Sequence, residues 1–221
     1  MLGESHPNVA MSYNNIGAIY YSKGAYDLAL ENYQTALEIR KQVLNESHPD
    51  MAISYNNIGT IYYSRGVYEL ALDYYQKALE IRKQVFGDTH LDVAMSYNNI
   101  GMIYRSKGNY DLALEYDHQA LAIQKQMLGE SHPTVASSYN NIGMTHRFNG
   151  AYDLAAEYCQ QALTIQKQLF GESHLDVAMS YNNIGTIHYY KEDYDLALEY
   201  YQKALEIRKK VLKGMFKWKI E

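Results

Sequence analysis

Cysteine is nearly absent from this 221-residue chain: Cys159 is the sole thiol. An intrachain disulfide is therefore excluded, and a reducing compartment is the expected setting. Proline occurs only at Pro7, Pro49 and Pro133, and aromatic content is lopsided, with 24 Tyr against 4 Phe and 1 Trp. A ring that carries a hydroxyl suits surfaces buried on one side and wet on the other. Basic charge is short too. The formal net charge is −5, the sequence pI is about 5.9, and no Lys/Arg stripe precedes the Lys-rich end. A reader of nucleic-acid backbone needs such a stripe to neutralise phosphates, so nucleic acid is not an expected partner. No apolar run approaches the ~18 residues of a membrane span, and the N-terminus has no charged-then-apolar leader pattern. The expectation is a soluble, cytoplasmic protein with no membrane partner.

What is present is repetition. Tyr-Asn-Asn-Ile-Gly occurs at Tyr13–Gly17, Tyr55–Gly59, Tyr97–Gly101, Tyr139–Gly143 and Tyr181–Gly185, each copy 42 residues after the last. Five identical pentapeptides in constant register predict five copies of one structural unit. The repeats run over approximately 6–47, 48–89, 90–131, 132–173 and 174–212. They form a single array over 1–212, followed by a tail over 213–221.

Within the first repeat, Val9, Tyr13, Ile16 and Tyr20 recur at spacings of three and four, the stripe of one helix. Gly24 interrupts it, and a second stripe runs from Tyr26 through Ala29, Tyr33, Ala36 and Leu37 to Val43 and Leu44. Pro7, Pro49 and Pro133 fit a first helical turn, where a missing N–H is harmless; Leu91 and Leu175 stand in for proline elsewhere. Ser47-x-x-Asp50, Thr89-x-x-Asp92 and Ser173-x-x-Asp176 read as capping boxes at the helix starts. Gly24, Gly66, Gly108 and Gly150 mark the turn between helices. Glu192 occupies that place in the last repeat, where a strained or more open turn is expected. Each repeat is thus a helix hairpin that cannot bury both faces alone and is stabilised by stacking on its neighbours.

Tyr13-x-x-Ile16-Gly17-x-x-Tyr20 followed by Ala29-x-x-x-Tyr33 and Ala36 resembles the tetratricopeptide (TPR) signature. The 42-residue length, Asn-Asn before Ile-Gly, Leu37-Glu38-Ile39-Arg40-Lys41 and linkers such as Gly129-Glu130-Ser131-His132-Pro133 are similar to kinesin light chain-type repeats. The usual repeat is shorter and ends in proline; here Lys41 stands in that place. The resemblance implies an all-α, right-handed superhelical solenoid of five TPR hairpins, with first helices lining a concave groove. Its implied activity is non-enzymatic: a protein–protein interaction scaffold or adaptor for an extended peptide, with no cofactor.

Carried onto this chain, the groove positions are Asn14, Asn56, Asn98, Asn140 and Asn182, a ladder of amides able to pair with peptide backbone; the alternative is that these amides satisfy each other and nearby helix groups. The second asparagines, such as Asn15 and Asn57, read as structural. The next inward turns hold Ala18, Thr60, Met102, Met144 and Thr186, then Tyr21, Tyr63, Arg105, Arg147 and Tyr189. Met102, Met144, Arg105 and Arg147 are expected to form one patch with an apolar floor and a positive rim, suited to a partner with an acidic and apolar segment. The alternative is that both arginines are solvated or paired with local carboxylates. Repeats that clamp the C-terminal carboxylate of chaperones present Lys where Asn14 stands, so that clamp is not expected.

Five histidines (His6, His48, His90, His132, His174) share one linker position a repeat apart and cannot converge on an ion. His146 and His188 replace Tyr20-type residues, and Asp117 and Cys159 replace Tyr33-type residues. Proximity of Asp117, His146 and Cys159 raises an ion pair, a metal site or catalysis. A zinc site needs more ligands at better spacing, so no metal or catalytic residue is assigned. The expectation is instead a softer, wetter joint between the third and fourth repeats. Met1–Pro7 is identical to Met127–Pro133, as in a piece of a longer array. Phe216 and Trp218 could cap the last helix, bind a partner or fray. A second functional class is self-assembly, with chains stacking end to end as a homo-oligomer.

Overall fold

The computed structural model describes residues 6–217, with side chains as far as Lys213. Ten helices follow one another, with no strand among the described residues: α1 (Pro7–Ser22), α2 (Tyr26–Val43), α3 (Pro49–Ser64), α4 (Tyr68–Phe86), α5 (Leu91–Ser106), α6 (Tyr110–Leu128), α7 (Pro133–Phe148), α8 (Tyr152–Phe170), α9 (Leu175–Tyr190) and α10 (Tyr194–Lys217). Each 42-residue repeat contributes two of them, so the all-α architecture of five helix pairs is the one expected. The last helix, α10, runs on through Leu212 into the tail as far as Lys217. The roles considered for Phe216 and Trp218 concern side chains outside those described.

Packing gathers into two compact units, Met1–Asn109 and Tyr110–Glu221, divided along the chain within the turn of the third repeat. In the first, α1 packs on α2 and α3 on α4, and the second helix of each repeat also packs on the first helix of the next. The core between α2 and α3 buries Leu37, Met51, Ile58 and Ile61. In the second unit α7 pairs with α8 and α9 with α10. Leu163, Val177, Ile184 and Ile187 fill the α8–α9 joint, and Leu121, Val135 and Ile142 the α6–α7 joint. Apolar positions at i, i+7 and i+10 of α3 and α9, and at i and i+7 of α7, thus face the preceding repeat.

Helix starts differ from the expected capping boxes. The N-cap residues are His6, His48, His90, His132 and His174, each with extended backbone and an Nδ1 that accepts from the N–H two residues on, at 3.1–3.2 Å. Imidazole Nδ1 is as many bonds from Cα as the Oδ1 of Asn, so it reaches the same orphan donor. Ser47, one residue too early to cap, donates to Gln84 Oε1 at 3.1 Å instead.

The helix-to-helix turn is closed by two bonds, Gly24 N–H to Tyr21 O and Ala25 N–H to Tyr20 O, both 2.9 Å, with Gly24 at φ 74°. Glu192 adopts φ 68°, the only positive φ at a non-glycine among the described residues, and the equivalent bonds to Tyr189 and His188 remain at 3.1 and 2.9 Å. The turn is therefore strained but not more open: two backbone bonds hold it against the Cβ penalty.

The glycine of the repeated pentapeptide marks a second tight place. A Cβ on Gly59 would lie 2.9 Å from two ring carbons of the buried Tyr75, and one on Gly17 would meet Tyr33 at 2.8 Å.

Candidate functional site

The first helices of successive repeats are stitched together by the paired asparagines. Asn57 Nδ2 donates to Asn14 Oδ1 at 2.7 Å, and Asn99 Nδ2 donates to Asn56 Oδ1 at 2.9 Å. The second asparagine is structural here. The first keeps its Nδ2 hydrogens unused by any described residue in Asn14 and Asn56, both half-buried. In the same unit a groove of about 550 Å³ is lined by Lys41 of α2, Tyr55 of α3, and Lys77 and Glu80 of α4.

Each repeat from the second to the fifth buries one serine, Ser54, Ser96, Ser138 and Ser180, whose partner differs between the two units. Arg40 Nη1 donates to Ser54 Oγ at 2.6 Å and to the Asp50 carbonyl at 3.1 Å; Arg82 does the same to Ser96 at 2.6 Å and to the Asp92 carbonyl at 3.3 Å. Burial holds both guanidinium pKa values below the usual arginine range, offset in part by the nearby Asp50 and Asp92. In the second unit glutamine replaces arginine, and the bond reverses: Ser138 donates to Gln124 Oε1 at 2.5 Å, and Ser180 to Gln166 Oε1 at 2.6 Å. A hydroxyl can do either. Once Ser180 donates to Gln166, its lone pair is open to Asn140, whose Nδ2 sits 3.3 Å away. Asn140 is accordingly buried, with its Oδ1 unpartnered. Asn98 and Asn182 are half-buried.

The next expected positions fall into joints as well. Tyr21 OH meets Ser64 Oγ of the following repeat at 3.4 Å, and Tyr63 OH meets Ser106 Oγ at 3.1 Å. In the fourth repeat both members change together: the Arg147 guanidinium lies 5.1 Å from the centre of the Tyr190 ring and 4.2 Å from that of Phe148. Such stacking leaves the guanidinium edge available for an anion while its face is covered. Tyr189 is exposed, edge-on to Tyr190 and Tyr194. Met102 and Arg105 stand half-buried on α5 of the first unit, and Met144 and Arg147 half-buried on α7 of the second. Thr60 and Thr186 are tied to Tyr75 and Tyr201 hydroxyls at 3.1 Å. Ala18 is exposed.

The residues that suggested an ion pair or metal do not converge. Thr145 Oγ1 donates to Asp117 Oδ2 at 3.3 Å, a polar pair replacing the Tyr33–Ile61 type of contact. His146 turns the other way and stacks on Tyr158 at 5.3 Å, as Tyr62 stacks on Tyr74 at 5.5 Å. His118 meets the same Tyr158 ring edge-on. Burial lowers the pKa of both histidines, and the neighbouring His118 lowers that of His146 further. Cys159 is fully buried and its thiol pKa is pushed up to about 12 by desolvation. Among the described residues no three His, Cys, Asp or Glu side chains are grouped to hold a metal ion. The expected wetter joint is also corrected: Asp117 is 1% exposed and Cys159 0%. A Cβ on Gly143 would meet the Ala155 carbonyl at 3.0 Å against 3.3 Å for Gly59 and Ala71, so closer helix approach takes up the volume that the smaller cysteine leaves.

Helix pairs recurring every 42 residues, the second helix of one packed on the first helix of the next, define a helical-repeat scaffold. The pattern of the tetratricopeptide repeat family matches residues 8–84, 50–126, 92–168 and 134–210, and the chain belongs to that family. Its solved neighbours include kinesin light chain-like repeat proteins. One is a putative kinesin light chain of Podosopora anserina with nearly identical TPR-like repeats (TM-score 0.81, 21% identity, 93% of this chain and 98% of that one). Another is BtubC (BKLC) from P. vanneervenii (TM-score 0.81, 24% identity, 93% and 82%). A Rap protein complexed with Competence and Sporulation Factor is also similar (TM-score 0.71, 20% identity), where this chain covers 52% of the neighbour. No curated protein matches the sequence. The family is generally one of non-catalytic interaction scaffolds, and no helix among the described residues is long and apolar enough to cross a membrane.

Proposed function

We propose that this chain is a non-enzymatic, cytoplasmic scaffold that holds an extended peptide along the exposed sides of its first helices. The observation that carries the reading is the asymmetry of the asparagine pairs. Asn14 and Asn56 spend their Oδ1 on the next repeat and keep Nδ2 donors, fixed in orientation, one repeat apart. A row of fixed donors suits the carbonyls of an extended main chain, independent of its side chains. The ordering cost on the protein side is already met within the joint. Specificity comes from the positions that vary. Met102 with Arg105 in the first unit, and Met144 with Arg147 in the second, favour an apolar residue next to an acidic one. The Rap neighbour solved with Competence and Sporulation Factor supports a peptide ligand for this fold.

Selection of a displayed random peptide library on the chain tests this. Asn56→Asp keeps the acceptor that Asn99 needs and removes the donors, so it is expected to weaken selected peptides at least tenfold with an unchanged melting temperature. Arg147→Glu is expected to select against acidic residues. Peptides that bind wild type and Asn56→Asp equally would overturn the reading.

A further inference from the structure

We propose that a second copy of this chain docks head to tail, the face of α1 in one copy seating on the face of α10 in the next. The two faces are the two halves of a joint the chain already builds within itself. Ile16 and Ile19 are 45% and 59% exposed, whereas their equivalents Ile58 and Ile61 are fully buried against the preceding repeat. At the other end Leu205 is 50% exposed, whereas its equivalent Leu37 is 6% exposed in the α2–α3 core. An apolar face alone would not name its occupant. The polar groups beside it do.

Four polar contacts of the internal joints have both of their members at the ends. Arg208 is exposed where Arg40 and Arg82 are buried on serine, and Ser12 is exposed where Ser54 and Ser96 receive them. Asn182 has its Oδ1 in the place of Asn14, and Asn15 its Nδ2 in the place of Asn57. Tyr189 corresponds to Tyr21 and Tyr63, and Ser22 to the Ser64 and Ser106 that those hydroxyls meet. Finally, Asp195 corresponds to Asp27, Glu69 and Asp153, which pair with Arg65, Lys107 and Lys191 of the following repeat, and Lys23 is the matching cation. One apolar contact and four polar ones are thus complementary in the register of a sixth repeat. Because the interface is heterologous, an assembly of any length still presents one unpaired head and one unpaired tail, and growth continues by addition at either end.

Sedimentation velocity of the full chain from micromolar to hundreds of micromolar is expected to show mass rising with concentration. A single monomeric species throughout overturns the proposal. Ile19→Asp blocks the head and Leu205→Asp the tail, both at exposed sites; circular dichroism checks that each folds. Each variant alone is expected to be monomeric, and an equal mixture to form a 1:1 pair, because the tail of the first still fits the head of the second. Association of either variant alone, or a mixture that stays monomeric, overturns the head-to-tail geometry. Lys23→Glu is expected to weaken association roughly twofold to fivefold, in keeping with an exposed ion pair, and Asp195→Lys in the same chain to restore it. Failure of the double change to restore would remove the proposed register.

Discussion

Two single residues carry strain or close contact that a substitution can read. Glu192 sits at φ 68° in a turn whose four counterparts are glycine. Glu192→Gly is expected to stabilise the chain by roughly 0.5–1 kcal/mol, the left-handed penalty less the entropy that glycine adds to the unfolded state; the denaturant midpoint measures it. Gly59 is the opposite case. Alanine is the better helix former, yet its Cβ would fall 2.9 Å from the ring of Tyr75, which is 1% exposed and has nowhere to go. Gly59→Ala is therefore expected to cost about 1–3 kcal/mol of unfolding free energy. The need for glycine in the pentapeptide was legible as periodicity; the ring that enforces it was not, because Tyr75 lies on the other helix of the hairpin.

At the level of a helix, start and end were legible to within a residue or two, since Pro7, Gly24 and their copies are local signals. The cap itself was missed. Histidine is an uncommon N-cap, and only the backbone conformation places His48 rather than Ser47 at the boundary. His48→Ala is expected to cost about 1 kcal/mol and His48→Asn to retain most of the wild-type stability in thermal unfolding. The serine rungs were missed for a different reason: the 42-residue spacing of Ser54, Ser96, Ser138 and Ser180 is visible, but its partners are fourteen residues upstream on another helix. Ser96→Ala leaves the buried guanidinium of Arg82 with the longer bond to the Asp92 carbonyl and is expected to cost about 2–3 kcal/mol, whereas Ser138→Ala removes the donor to a neutral amide and costs about 1 kcal/mol. Equal losses in the two variants would show that the charge on Arg82 is solvated in another way.

On the scale of the molecule, the two compact units are unlike in their titratable interior. The second contains His118 and His146 around Tyr158, both with pKa values lowered from 6.5 in the folded state. The unfolded chain takes up these protons first as pH falls, so the contribution to stability is complete above about pH 6.5 and is lost as pH drops through the lowered values. Hydrogen exchange at pH 7.5 and pH 5 is expected to show protection falling more in α7 and α8 than in α3 and α4. In His146→Tyr, which restores the Tyr62–Tyr74 type of stack, the difference is expected to shrink. The family and the helix pairs were legible from repetition alone. Which amides bind each other and which face solvent was not, because identical Asn-Asn pairs have different fates: Asn56 meets Asn99, while Asn140 is drawn to Ser180 by a glutamine in place of arginine.

The rotating hydroxyl of those serines also bears on how such a chain changes over generations. It accepts from Arg40 or Arg82 and donates to Gln124 or Gln166, so at this rung a segment ending in either residue fits the serine that follows it. Near-identical coding segments misalign easily when genes recombine, and each event adds or removes a whole 42-residue block. At this rung the joint is indifferent to its predecessor, so a block can be gained or lost without a compensating change there, whereas the Asp117–Thr145 and Arg147–Tyr190 pairs, in which both members change together, tie their blocks to their neighbours.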